Sequence, residues 1–279
     1  MKTSDMGSQH DRLPITRELT LAYVLSLVVA LVMTIASVVG LLYQTVIYPT
    51  DDLVLSFAPT DALNLVVGLP ILLGSMWLAR RGKLIGLLCW PGTLFYVLYV
   101  YVPYVIGVPF GVLFLPYVVL VALSAYTLIG LVASIDGEVV RRRLTGLVPA
   151  RTSGGILAGL AILTIVRQAA LIVTALATQA PVHVQELAVW IDDFTVGVPA
   201  VLVGRILLWR RKALGHVAGA GLLLAYGVLA LGVIPFMVLE ARYTASRIDA
   251  AGIVLVLVMA ALCFTPFGFF VRGAASDRS

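Results

Sequence analysis

Gly68-Leu69-Pro70, a long apolar run, Arg80-Arg81-Gly82-Lys83 and then Gly86 form a stretch that occurs twice in this chain. Gly197-Val198-Pro199, an apolar run, Arg210-Arg211-Lys212 and Gly215 repeat it 129 positions on (197 against 68). Without a gap, Gly68, Pro70, Leu73, Leu78, Arg81, Lys83 and Gly86 align with Gly197, Pro199, Leu202, Leu207, Arg210, Lys212 and Gly215. Each copy reads as one membrane span leaving through a basic turn into the next. The pattern predicts the hairpin at the centre of each half of a duplicated membrane protein.

The rest of the chain agrees. Of its 279 residues 61% are hydrophobic and 12% charged, with a mean hydropathy of +1.06; soluble domains carry about a quarter charged residues. The net charge of +5 is not a nucleic-acid signature, because 15 of the 19 Lys and Arg lie in a tail or in one of three basic turns between apolar runs. That distribution follows the positive-inside rule. Eight apolar segments are expected near 19–42, 61–79, 84–106, 110–133, 155–178, 190–209, 214–238 and 249–271, each close to the ~20 residues that cross a bilayer. Backbone satisfaction in hydrocarbon and the lack of dyad alternation require helices rather than barrel strands.

The basic turns Arg80–Lys83, Ile135–Arg151 and Arg210–Lys212 are expected in the cytoplasm. The segments around Asp51-Asp52, His183–Glu186 and Glu240–Asp249 are expected outside. The layout is then a cytoplasmic tail at 1–18, a four-helix unit at 19–134, a basic cytoplasmic loop at 135–154, a second four-helix unit at 155–271 and a cytoplasmic tail at 272–279. Four spans per unit is an even number, so the two halves are parallel repeats. The first apolar run, Leu19–Leu42, is too long for a signal-peptide core and reads as a retained span. Pro70, Pro91, Pro199, Pro235 and Pro266 fall inside spans and are expected to kink them. Pro103 and Pro109 are expected to bracket a tight outer turn. No loop is long enough to fold as a domain.

Arg167, near the centre of the fifth span, is the first candidate for chemistry. A charge at that depth costs about 2.5–3.5 kcal/mol on insertion scales and ordinarily faces a bundle interior or a wet cavity. Asp192 and Asp193, near the outer end of the sixth span, are its natural partners. One reading makes Arg167 a counter-charge for an anionic ligand or part of an ion relay; the other makes it a structural pin between the fifth and sixth spans. Asn64 occupies the place of Asp193 in the repeat, with Asp61 one turn outward. Tyr96 and Tyr99 share a helix face in an aromatic run (Phe95–Tyr104) that otherwise reads as an interfacial belt; Asp61 and Asn64 are candidate partners for their hydroxyls.

Enzyme signatures such as H-E-x-x-H, G-x-S-x-G and the phosphate-binding G-x-x-x-x-G-K-[ST] are absent, so no catalytic residue, metal or cofactor is expected. Cys89 and Cys263 read as buried free thiols.

Asp61…Gly68-Leu69-Pro70…Arg80-Arg81-Gly82, Leu88-Cys89-Trp90-Pro91-Gly92…Tyr96 and Pro109-Phe110 resemble an uncharacterised group of prokaryotic multi-pass membrane proteins. Asp193…Val198-Pro199…Arg210-Arg211-Lys212…Gly215 is similar to the second half of the same group, except that Ala213-Leu214 replaces the aromatic common there before the Gly. The resemblance implies no activity and no catalytic residue.

The expectation is therefore an all-α, eight-helix protein of the inner (plasma) membrane with both termini cytoplasmic. It would not be an enzyme. It would bind or transport a small molecule or ion through Arg167, Asp192, Asp193, Asp61, Asn64, Tyr96 and Tyr99 in the outer half of the bundle. The alternative is a membrane scaffold or accessory subunit with a structural Arg–Asp pair. Its partners would be the lipid bilayer, that ligand and a membrane partner protein, with no nucleic acid.

Overall fold

The computed structural model describes residues 13–244 and 249–276. Residues 1–12, 245–248 and 277–279, which hold most of the expected N-terminal tail, part of the Glu240–Asp249 segment and the end of the C-terminal tail, lie outside the described residues. The elements are α1 (Thr20–Leu42), α2 (Gln44–Ile47), α3 (Asp51–Leu63), π1 (Asn64–Gly68), α4 (Leu69–Arg80), α5 (Leu84–Gly107), α6 (Phe114–Ala133) and α7 (Gly137–Leu144). They continue with α8 (Ala150–Thr178), α9 (Val184–Asp192), π2 (Asp193–Gly197), α10 (Val198–Trp209), α11 (Gly215–Tyr243) and α12 (Ala250–Ser276). Counting α3-π1-α4 and α9-π2-α10 as one each, eight helices are long and apolar enough to cross a membrane. The architecture fits a multi-pass membrane protein.

Several of these helices begin earlier than apolarity alone predicts, among them the fifth, at Ala150 rather than near 155. The second runs Asp51–Arg80 and the sixth Val184–Trp209. Thr50 caps the second: its Oγ1 accepts from the Leu53 amide at 3.4 Å, with Asp51 and Asp52 in the first turn. Acids there complement the positive end of the helix, so residues expected in a loop start a helix instead. The expected turn between Pro103 and Pro109 is also displaced, because α5 continues through Pro103 to Gly107.

Each Gly-x-Pro stretch converts the preceding turn into π-helix. In π1 the Leu69 amide bonds back to the Asn64 carbonyl, and in π2 the Val198 amide bonds to that of Asp193. A proline one residue further on has no N–H, and its ring crowds the carbonyl four residues earlier; a wider turn relieves that clash. Asn64 and Asp193 therefore open the two π turns. The basic turns also match: Lys83 N bonds to Leu78 O at 2.9 Å and Lys212 N to Leu207 O at 2.8 Å. Gly82 (φ 75°) and Arg211 (φ 49°) take the left-handed position of these helix ends, the Schellman arrangement.

At the centre of the bundle stands α5, whose hydrophobic window is 72% buried while every other span lies at 39% or below. It packs chiefly on α4, α6 and α11, and its C-terminal half on α9. It crosses α11 where Gly92 meets Gly221: a Cβ on Gly221 would sit 3.0 Å from the Gly92 nitrogen. Only glycine permits that backbone approach. The flanks differ. The first helix, α1, closes onto α3, α4 and α6, whereas α8 packs mainly on α10 and barely touches α12.

In the loop after α6, Asp136 caps the short helix α7 by accepting from the Glu138 and Val139 amides, both at 3.1 Å. Val140 and Leu144 on α7 are buried against α11 and α12. Residues 14–16 are tied to the same loop by Asp136 N→Pro14 O and Thr16 N→Ser134 O, both 2.8 Å.

Candidate functional site

Two polar clusters form inside the bundle, one around each π turn. In the first, Asp61 and Asn64 are wholly buried. Tyr48 donates to Asp61 Oδ2 at 2.6 Å, and the Tyr104 hydroxyl lies 3.2 Å from Asp61 Oδ1 and 3.0 Å from the Phe57 carbonyl. Tyr96 donates to Asn64 Oδ1 at 2.8 Å. The Asn64 amide donates to the Tyr101 hydroxyl at 3.1 Å and to Ser37 Oγ at 3.5 Å. Tyr101, Tyr104 and Tyr117 pack against one another in tilted and edge-on pairs with ring centroids 5.0–5.9 Å apart. Asp61 and Asn64 are thus saturated by tyrosines and one serine. Such a buried network fixes the relative positions of α1, α3 and α5.

The second cluster is built from the same kind of turn and ends differently. Tyr99 donates to Asp193 Oδ1 at 2.5 Å, and the Gln168 side-chain amide donates to Asp193 Oδ2. A Cβ on Gly197 would lie 2.9 Å from the Tyr99 ring, 3.0 Å from the Tyr226 hydroxyl and 3.4 Å from Asp193 Oδ1, so these groups converge on bare backbone. Asp192, the next residue, is 1% exposed, and neither of its carboxylate oxygens has a hydrogen-bond partner. Gln168 Oε1 is buried and unpartnered as well. No ion pair among the described residues reaches Asp192 or Asp193; the two resolved pairs join Glu138 to Arg141 and Arg142. The cluster holds acceptors in excess and no cation.

Arg167 does not fill that place. It is exposed, while its neighbour Gln168 is buried and bonds Asp193. The expected Arg167–Asp193 pair therefore gives way to a Gln168–Asp193 hydrogen bond. The cause is the packing of α8, whose buried stripe of Ser153, Gly154, Leu157, Leu160, Ala161 and Gln168 faces the bundle; one residue further round is 100° away. Tyr96 and Tyr99 also part company: Tyr96 serves Asn64 and Tyr99 serves Asp193 across the bundle. Tyr101 and Tyr104, expected in an interfacial belt, are buried instead, Tyr101 accepting from the Asn64 amide and Tyr104 donating beside Asp61.

Sequence reading missed Tyr48, Tyr101, Tyr104, Gln168 and Tyr226. Gln168 is the chain neighbour of Arg167, and sequence alone does not mark which of the two faces inward.

One small recess lies beside the first cluster and a larger one near the second. A void of about 10 Å³ lies among Gly68, Tyr96, Gly92 and Leu224. An open recess of about 220 Å³ lies between the ends of α8 and α9, lined by Ile172, Leu176, Gln179 and Trp190. Ile172 is one helical turn from Gln168 and Trp190 one turn from Asp193, so the recess lies about one turn from the two residues bonded in the second cluster.

Comparison with family models, with curated proteins and with solved structures finds no match for this chain.

Proposed function

We propose that this chain is a plasma-membrane protein with both termini cytoplasmic, built from two parallel four-helix units, that binds one monovalent cation, a proton or an alkali-metal ion, at Asp192 and Asp193. The observation that carries the reading is Asp192, a buried carboxylate with neither oxygen satisfied, beside a second carboxylate. Adjacent carboxylates in a water-poor site repel strongly, and a buried charge without a partner is costly. One positive charge removes both penalties. Asp193 is held by Tyr99 and Gln168, while Asp192 and Gln168 Oε1 keep free lone pairs for a ligand.

An ion suits the site better than a small molecule. Drug-sized ligands occupy roughly 300–1,000 Å³, and the recess of about 220 Å³ near the cluster is open to its surroundings and largely apolar in lining. It serves as an approach rather than as a pocket. Support for the duplication comes from matched features 129 positions apart: Asn64 with Asp193 at the start of a π turn, Gly82 with Arg211 in the left-handed region, and Gly92 in contact with Gly221. Contact between equivalent residues is what a two-fold axis between halves would produce. The orientation rests on the basic turns.

A second reading, a membrane scaffold or accessory subunit, is favoured by the first cluster, where Asp61 and Asn64 are saturated. A thermal-stability series on the full chain in lipid nanodiscs separates the two. Sodium, potassium and lithium would be compared with choline at several pH values, for wild type and Asp192→Asn. Cation binding to the native state stabilises it by RT ln(1 + [L]/Kd), about 2.7 kcal/mol at 100 Kd. The expected result is that one metal ion, or acid alone, raises the wild-type midpoint and leaves Asp192→Asn unmoved. If no cation and no pH distinguishes wild type from the variant, the scaffold reading replaces this one.

A further inference from the structure

We infer that the exposed face of α8 is a docking surface for a transmembrane helix of another protein that carries a carboxylic acid near mid-membrane. The inference is independent of the cation site. Arg167 lies about 16 Å from the Thr178 end of a helix of 29 residues, at 1.5 Å per residue, and is exposed on the bundle surface. In a bilayer that position faces hydrocarbon, where a guanidinium requires a counter-charge or a wet cavity. Towards the N-terminus of α8, two glycines lie about 12 Å and about 18 Å along the helix from Arg167 and about 80–120° round it. Gly155 and Gly159 are both exposed, and a Cβ on either would meet nothing within 4 Å. A Gly-x-x-x-Gly face left open inside a span is the surface on which a second helix packs closely.

The charge selects the occupant. A second copy docked on the same face would be related by a two-fold axis along the membrane normal, bringing each Arg167 towards its equivalent. Like charges at low dielectric oppose that arrangement. This chain offers no mid-span acid for a different pairing among the described residues either: Asp61, Asp192 and Asp193 are buried, and the exposed Glu186, Glu240 and Asp249 lie near helix ends. The contact of α8 with α12 is slight, whereas α1 is closed against α6.

The test uses the full chain in nanodiscs of zwitterionic lipid and two synthetic single-span peptides. Both have a Gly-x-x-x-Gly face; one has Asp at mid-length and the other Leu. Energy transfer between labelled peptide and labelled protein should show the Asp peptide binding about tenfold more tightly than its Leu counterpart, a difference of one decade in Kd. Arg167→Leu should erase the difference. Gly159→Leu, a change into open space that leaves Arg167 intact, should weaken both peptides. Equal binding of the two peptides to wild type would overturn the inference, as would a preference for Asp that survives Arg167→Leu. Self-association of the labelled chain that Gly159→Leu abolishes would assign the face to a second copy and overturn it too.

Discussion

Asn64 and Asp193 open equivalent turns, yet one is an amide met on every side and the other a carboxylate beside a second carboxylate. The difference of one side-chain atom sets which partners each cluster can bond. Asn64 brings both donor and acceptor, so Tyr96, Tyr101 and Ser37 satisfy it without any ion. Asp193 brings acceptors only, and Tyr99 and Gln168 supply its donors while Asp192 is left without one. Removing the hydroxyl in Tyr96→Phe leaves Asn64 Oδ1 buried and unpaired, an effect of about 1–3 kcal/mol. Denaturant titration in mixed micelles should read that loss, and an unchanged midpoint would mean that water or another donor reaches Asn64. At this scale the sequence was partly legible. Tyr96 and Asn64 stood out together because two polar residues at one depth need each other. Gln168 is not legible from depth alone, because the angle round the helix decides which residue faces inward and 100° separates it from Arg167.

Helix ends and turns were legible wherever local chemistry determines them. The basic turns emerge as expected, and their geometry gives a direct test. Gly82 holds φ 75° at its turn, where a side chain costs roughly 1–2 kcal/mol. Gly82→Ala should lower stability by that amount, read from the same denaturant titration, while the corresponding Arg211→Gly should not destabilise. The start of the second span was less visible, since Asp51-Asp52 resembles a loop until Thr50 is recognised as its cap. The π turns follow from Pro70 and Pro199 but announce themselves in sequence only as kinks.

The helix α7 was hidden inside an expected loop because its eight residues carry three arginines. Its electrostatics are testable. Hydrogen bonds from Arg141 and then Arg142, with their charges, hold the Glu138 carboxyl down at about 2, below its ordinary 4.5. A depressed carboxylate supports the folded helix above its unfolded value and loses that support as pH falls from about 4.5 towards 2. Carbon-detected magnetic resonance of the Glu138 carboxyl at low salt should give a midpoint near 2. A midpoint near the unperturbed ~4.3 would mean that the Arg pairs do not persist in solution.

For the whole molecule, composition and the spacing of apolar runs indicated eight helices before any coordinate. They could not tell which helix is central. Burial of α5 arises from Gly92 and from tyrosines whose rings pack inward and whose hydroxyls find Asp61, Asn64 and Asp193. A tyrosine-rich run serves an interface equally well in sequence, and only tertiary contact decides. The proposed halves share their turns and their crossing point but differ at the flank, with α1 closed and α8 open. That asymmetry accompanies the chemical one: the closed half has the saturated cluster, and the open half has the unpaired acid, the recess and Arg167.

The most direct measurement of the central claim is an infrared difference spectrum of the full chain in nanodiscs, taken as sodium or acid replaces choline at neutral pH. If Asp192 and Asp193 hold a cation, one exchange should change a carboxyl band in wild type, and Asp192→Asn should remove that change while the protein stays folded. A wild-type spectrum indifferent to sodium and acid, or one that Asp192→Asn leaves intact, would contradict the account.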